Sequence, residues 1–191
     1  MNTATSIDVD RAIGVITSAF SADPIARWAY PDPHAYWEHF PEFVRAFAGG
    51  AFEADAAYVS EDYAGVALWL PPGVHADADA LGMIVQETVP EELLDPLVEM
   101  IELQAESHPE GPHWYLPLIG VDPAHQGEGH GSRLLSRGLA DVDREGLPAY
   151  LEATTPASRA LYERFGFEVV REIQVPGAPP MWPMLRNPGG R

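Results

Sequence analysis

Residues 113–132 read HWYLPLIGVDPAHQGEGHGS, and this stretch limits the possible folds more than any other part of the chain. Residues 114–121 form an apolar run that Asp122 and Pro123 bring to an end, the pattern of a buried strand. A turn over 124–131 holds Gly127, Gly129 and Gly131, and beyond it Leu134, Leu135, Leu139 and Val142 fall on one helical face. A strand feeding a helix through glycines leaves the first-turn amides without acceptors, at the positive end of the helix dipole. Such a turn is suited to an anion, and glycine lets a phosphate approach the backbone closely.

Two common phosphate loops are excluded. From Gly127 the order is G-E-G-H-G-S, so Ser132 stands where a dinucleotide fingerprint needs its last glycine. A Walker loop needs a lysine, and the chain has none. The match is instead to Gln-x-x-Gly-x-Gly, at Gln126, Gly129 and Gly131. Further on, ALYERFGFEVV over 160–170 contains Leu161, Tyr162, Glu163, Gly166 and Phe167 in the order Leu-Tyr-Glu-x-x-Gly-Phe. With these motifs, separated by room for one helix and one strand, the chain resembles the GNAT N-acetyltransferases. The resemblance spans 113–186 and is nearest to the puromycin N-acetyltransferase-like branch, with its late VPGAPPMWPMLR segment and, more weakly, SEDYAGVALWLPPG upstream.

The resemblance implies a single α/β domain over 1–191, with a mixed, splayed central sheet flanked by helices. The acceptor side falls in about 1–112 and the acetyl-CoA side in about 113–191. It also implies direct transfer of an acetyl group from acetyl-CoA, as co-substrate, to a small primary amine in a ternary complex. Residues Gln126, Gly127, Glu128, Gly129, His130, Gly131 and Ser132 would hold the diphosphate by backbone N–H groups. The strand amides of Ile119 and Val121 would polarise the thioester carbonyl, and Tyr162 would protonate the leaving thiolate, unless it is only a packed core tyrosine. A family asparagine that contacts the CoA arm has no counterpart in 154–158, where Thr155 and Ser158 are the available substitutes. Trp28 and Tyr30 are the implied acceptor-wall residues; packing of aromatics in the core is the other reading.

An ammonium has no lone pair, so the acceptor must lose a proton before it attacks. Glu152 is the first candidate base: strand alternation over 150–153 puts it on the face opposite Leu151 and Ala153. It could equally bind the ammonium. His113 and Glu87 are further candidates. A non-catalytic CoA sensor of the same fold is the alternative function, and a phosphate- or nucleotide-dependent enzyme the third.

Upstream, Val9, Ile13, Ile16 and Phe20 mark a helix over 8–20, a second is expected over 34–47, and strands over 56–60 and 64–70. The family's first strand would be short or absent, since only about six residues precede the first helix. Residues 77–107 are helical in pattern, with Thr88 and Glu91 at capping-box spacing around Pro90. His34 and His39 are five apart and lack a third ligand, so no metal site is expected. With 29 acidic residues against 11 arginines and a net charge of −18, the surface does not suit nucleic acid. No apolar run approaches the roughly 20 residues of a membrane span, no signal peptide is read, and cysteine is absent. These features suggest a cytoplasmic protein with no membrane partner; the oligomeric state, monomer or homodimer, is left open by the sequence.

Overall fold

The computed structural model describes residues 7–189. A six-stranded sheet runs in the order β1-β2-β3-β4-β6-β5, where β1 is Ala57–Val59, β2 Gly65–Leu70, β3 Trp114–Val121, β4 Ala149–Ala153, β5 Glu168–Val169 and β6 Trp182–Arg186. Among the described residues only the β3–β4 pair is parallel, so the expected mixed α/β sheet is present. The position of the family's first strand lies in residues 1–6, outside the described residues.

Helices cover both faces. On one side lie α1 (Val9–Ala19), α2 (Pro24–Ala29), α3 (Pro33–Ala48) and the short α4 (Gly50–Glu53). Asp8, Asp23 and Asp32 begin the first three by accepting first-turn amides, and Pro24 and Pro33 occupy first-turn positions where no N–H is needed. The sequence pattern does not separate α2 from its surroundings, although Asp23-Pro24 is a helix-start signal. The helical pattern over 77–107 is two helices, α5 (Ala78–Thr88) and α6 (Glu91–Ala105), which meet at Val89 and Pro90. Asp77 caps α5, and α6 starts at Pro90 without a side-chain cap. The expected Thr88–Glu91 capping box does not form. Thr88 belongs to the end of α5, where its hydroxyl donates to the Ile84 carbonyl and pairs with the Tyr30 hydroxyl. On the other side of the sheet lie α7 (His130–Glu145) and α8 (Pro156–Glu163).

The sheet separates two cores. Val66, Leu68, Leu70 and Leu118 face α1 and α3, while Ala67, Trp69, Trp114, Leu116, Leu151 and Met184 face α7 and α8. Buried Arg186 at the end of β6 donates to both carboxylate oxygens of Asp143 on α7, at 2.6 and 3.1 Å, and to the Phe165 carbonyl. Among the described residues, no helix is long and apolar enough to cross a membrane.

The central strand carries a defect that positions everything nearby. Leu118 lies opposite Leu68 and Tyr115 opposite Leu70, so Leu116 and Pro117 together face the single residue Trp69. This is a β-bulge, and proline supplies one of its two residues. A bulge reverses the alternation downstream. Trp114 donates its N–H toward β4, to the Pro148 carbonyl, whereas Asp122 donates toward β2, to the Ala64 carbonyl. Two even-numbered residues would point the same way in an unbroken strand. Because of the reversal, the amides of Ile119 and Val121 face away from β2. Pairing of β3 with β4 covers only Trp114–Ala149, Tyr115–Tyr150 and Leu116–Leu151. Beyond it the strands separate, and those two amides look into the gap.

Helix α7 lies close against β2 at one point: a Cβ built on Gly138 would stand 2.1 Å from Nε1 and 2.6 Å from Cε2 of Trp69, which is fully buried. Neither side can yield without disturbing a packed core. Gly138→Ala is therefore expected to destabilise the chain by about 2–3 kcal/mol, read as a lower urea midpoint at unchanged slope.

Candidate functional site

The gap between β3 and β4 opens into a cavity of about 930 Å³. One wall is the diverging part of β3, from Leu116 to Val121, with Gln126 beyond it. Glu152, Thr154, Thr155, Ser158 and Tyr162 line another, and helices α1, α2, α3, α5 and α6 close the rest with Phe20, Phe40, Phe43, Phe47, Val85 and Leu97 among others. The space is thus apolar over most of its surface, with a few polar groups converging from β4 and α8.

Of the residues singled out in the sequence, Ile119, Val121, Gln126, Glu152, Thr155, Ser158, Tyr162 and Tyr30 all line this cavity. Residues 127–132 do not; they form the neighbouring turn and the first turn of α7. Trp28 is elsewhere: it packs against Met100, Ile173, Val175, Ala178 and Met181, a small C-terminal cluster. A dense run of aromatics does not reveal which of its members face a cavity, and here α2 turns Trp28 away. Glu87 is exposed on α5 and outside the lining, so it is not positioned as a base.

The turn is shaped by two glycines with left-handed backbones, Gly127 at φ +83° and Gly129 at φ +82°, which an L side chain would strain. Asp122 starts it by accepting the Ala124 amide, and Gln126 returns its side-chain N–H to the Val121 carbonyl at 3.3 Å. Among the described residues, none of the backbone amides from 126 to 132 has an acceptor. Arg133 donates to the Glu128 carbonyl at 3.0 Å and is the basic side chain at this turn. Seven free amides at a helix start fit a diphosphate.

Thr155 and Ser158 are bound to each other. The Thr155 hydroxyl accepts the Ser158 amide and the Ser158 hydroxyl accepts the Thr155 amide, a capping box that starts α8. Their side chains face the cavity, but their hydrogen bonds serve the helix.

The polar centre is Glu152. Its side chain is 5 % exposed. The Tyr115 hydroxyl donates to its Oε2 at 2.9 Å, while Oε1 has no hydrogen-bond partner and stands 3.8 Å from His108 Nε2. His108 Nδ1 lies 3.2 Å from His113 Nε2, and His113 Nδ1 lies 2.9 Å from the Gly111 carbonyl. A row Glu152–His108–His113 therefore leads from the cavity to a second hollow of about 350 Å³ behind it, which both histidines line. Burial pushes the Glu152 carboxyl up to about 7, against hydrogen bonds that favour its charge. Burial, with His113 nearby, pushes His108 down to about 4. Tyr162 is buried and its phenol is held well above the ordinary range by desolvation and then by the Asp23 and Glu152 carboxylates. It therefore keeps its proton at neutral pH. Asp23, which also lines the cavity, is raised by burial although Thr154, Ala26 and Ile25 donate to it.

His108, Tyr115 and Asp23 escape a reading of the sequence. HPEGPH looks like a plain loop, Tyr115 looks like one more apolar strand position, and Asp23 looks like a helix cap and nothing else. Only folding brings Asp23 to Thr154, 131 positions away along the chain.

A family model described as the acetyltransferase (GNAT) family matches residues 22–167. An uncharacterised N-acetyltransferase of Schizosaccharomyces pombe is 29% identical over 130 residues, 59% of this chain and 50% of that protein. The N-alpha-acetyltransferase RimI of Mycobacterium tuberculosis is 50% identical over 66 residues, 31% of this chain and 40% of that protein. The chain spans half or less of the length of the curated relatives it matches. Among solved structures, a protein of Corynebacterium glutamicum described as histone acetyltransferase HPA2 and related acetyltransferase superposes with a TM-score of 0.65 at 25% identity, covering 98% of this chain and 95% of that one.

Glu152 and His108 have opposite effects on stability. For Glu152, raised from 4.5 to about 7, the folded chain keeps a proton that the unfolded chain releases, so stability falls as pH rises through that window. For His108, lowered from 6.5 to about 4, the unfolded chain holds the extra proton and stability rises with pH. The two offset each other over most of the shared range. Glu152→Gln removes only the first. Urea titrations are expected to show this variant gaining about 3 kcal/mol relative to the native chain between acidic and mildly alkaline pH; a difference that does not change with pH would contradict a raised carboxyl.

Proposed function

The chain belongs to the acetyltransferase (GNAT) family, and from that premise we propose that it acetylates a small primary amine by direct attack within a ternary complex. The observation that carries this reading is the pair of outward-facing amides at Ile119 and Val121, meeting Glu152 and Tyr162 in one cavity beside a turn of free N–H groups. Bound acetyl-CoA would supply the thioester whose carbonyl carbon the amine attacks. In this reading residues 126–132 hold the diphosphate, with Thr155 and Ser158 fixing the start of α8 beside the cofactor.

Each remaining residue has a defined task. The amides of Ile119 and Val121 donate to the carbonyl oxygen as it gains negative charge, and being backbone groups they need no reorganisation. Glu152, with a carboxyl near neutrality, accepts the ammonium proton and frees the nitrogen lone pair. The same burial argues against a purely ionic role in holding the ammonium. His108 and His113 provide the path by which that proton leaves. Tyr162, whose phenol remains protonated, donates to the sulfur as the C–S bond breaks.

The acceptor is inferred from the wall. Aromatic and aliphatic side chains dominate it, and its acidic groups are Asp23 and Glu152. Such a space suits an amine carried on an apolar or aromatic body. Puromycin, the acceptor of the branch that the sequence resembles, fits this description and is the first to screen, in a thiol-release assay.

Tyr162→Phe is expected to lower kcat by about 100-fold or more while leaving acetyl-CoA affinity unchanged; an intact turnover rate would remove the tyrosine from the mechanism. Gly129→Asp, which adds a negative charge at a left-handed position, is expected to weaken acetyl-CoA binding about tenfold or more by calorimetry. Unchanged affinity would mean that the turn does not hold the diphosphate.

A further inference from the structure

The turn after β3 brings three metal-type donors to one point. His125 ends the short helical turn Pro123–His125, Glu128 lies between the two left-handed glycines, and His130 opens α7. His125 Nδ1 stands 3.4 Å from Glu128 Oε2, and His130 Nε2 stands 3.4 Å from the same oxygen. All three donor atoms lie within 4.8 Å of one another.

These distances are informative. A protonated imidazole drawn to a carboxylate by a charge-assisted hydrogen bond closes to about 2.7–2.9 Å. Ligands around a tetrahedral zinc ion, at about 2.0–2.1 Å from the metal, stand roughly 3.3–3.5 Å apart. Each imidazole nitrogen thus stands from Glu128 Oε2 at a distance that two ligands of one ion would have, with His130 Nε2 also within hydrogen-bond reach of that oxygen. His130 is mostly covered, and its Nδ1 is buried without a partner, so Nε2 is the nitrogen that reaches the cluster. The backbone fixes the convergence, because Gly127 and Gly129 reverse the chain on either side of Glu128.

We propose that His125, Glu128 and His130 form a binding site for a zinc-class divalent cation on this turn. Two imidazoles and one carboxylate are a donor set for zinc or for cobalt(II) in its place, and they leave a fourth tetrahedral position open. Magnesium, which demands oxygen ligands in octahedral array, is not suited. The helix dipole opposes a cation at the start of α7, and the Glu128 carboxylate answers it. Arg133 is turned to the Glu128 carbonyl, not to its carboxylate, so the carboxylate is not engaged by that guanidinium. A bound ion would cross-link the two ends of the glycine turn. The site shares its turn with the proposed diphosphate site, and metal uptake is measured without acetyl transfer.

The test uses the untagged full chain, freed of metal by a chelator and then dialysed. Zinc is titrated in competition with a chromophoric chelator, and cobalt(II) is titrated separately for its visible absorption. The expected result is one zinc per chain, an intense four-coordinate cobalt spectrum, and no uptake of magnesium. His125→Ala and Glu128→Gln are each expected to weaken zinc binding about tenfold or more. Both positions are exposed and outside the packed cores, so loss of folding does not confuse the result; circular dichroism checks it. Absence of zinc uptake, or uptake equally tight in both variants, would overturn the proposal and leave the three residues as a surface cluster of solvated charges.

Discussion

The extra residue in β3 is the constraint on which the site depends. A parallel pair of strands normally uses its amides on both sides. Placing Leu116 and Pro117 against the one residue Trp69 turns the second half of β3 over, so that the amides of Ile119 and Val121, rather than those of Leu118 and Gly120, face the side from which β4 has diverged. Two backbone donors then face a cavity, an arrangement that is costly unless something in the cavity accepts from them. Proline suits the bulge because it has no N–H to lose.

Charge is handled in two ways in this molecule. Most of the excess acidity is on the surface, where water screens it. Asp23 and Glu152 instead lie in an apolar cavity, and both carboxyls are raised by burial. A protein can hold such groups only if their neighbours share the cost. Here Thr154 and the α2 amides serve Asp23, and Tyr115 serves one oxygen of Glu152. The other oxygen faces His108 without a hydrogen bond, and the buried Tyr150 hydroxyl close by has no partner either.

Much of this was legible in the sequence. The strand–glycine–helix unit and the alternation of β4 follow from local periodicity and turn chemistry, so the ends of β3 and the face of Glu152 could be read directly. The bulge could not. Burial alternates without interruption along β3 even though the faces exchange after Leu116, because both sides of the strand are covered. Trp28 and Tyr30 are two residues apart and equally aromatic, and only the path of α2 separates a cluster under the C-terminal segment from the cavity wall. His108 gains its role from β4, and Asp23 from Thr154; no local pattern encodes either pairing. His125 and His130 read singly as loop residues, and only the two left-handed glycines bring them to Glu128.

The two cores on opposite sides of the sheet do not share residues. Helices α1 and α3 rest on one, together with the aromatic wall of the cavity; α7, which the glycine turn begins, rests on the other. Changes that reshape the wall are thus absorbed on one side of a rigid partition. Over evolutionary time, a lineage built on this plan can reshape the cavity wall while the glycine turn is inherited intact.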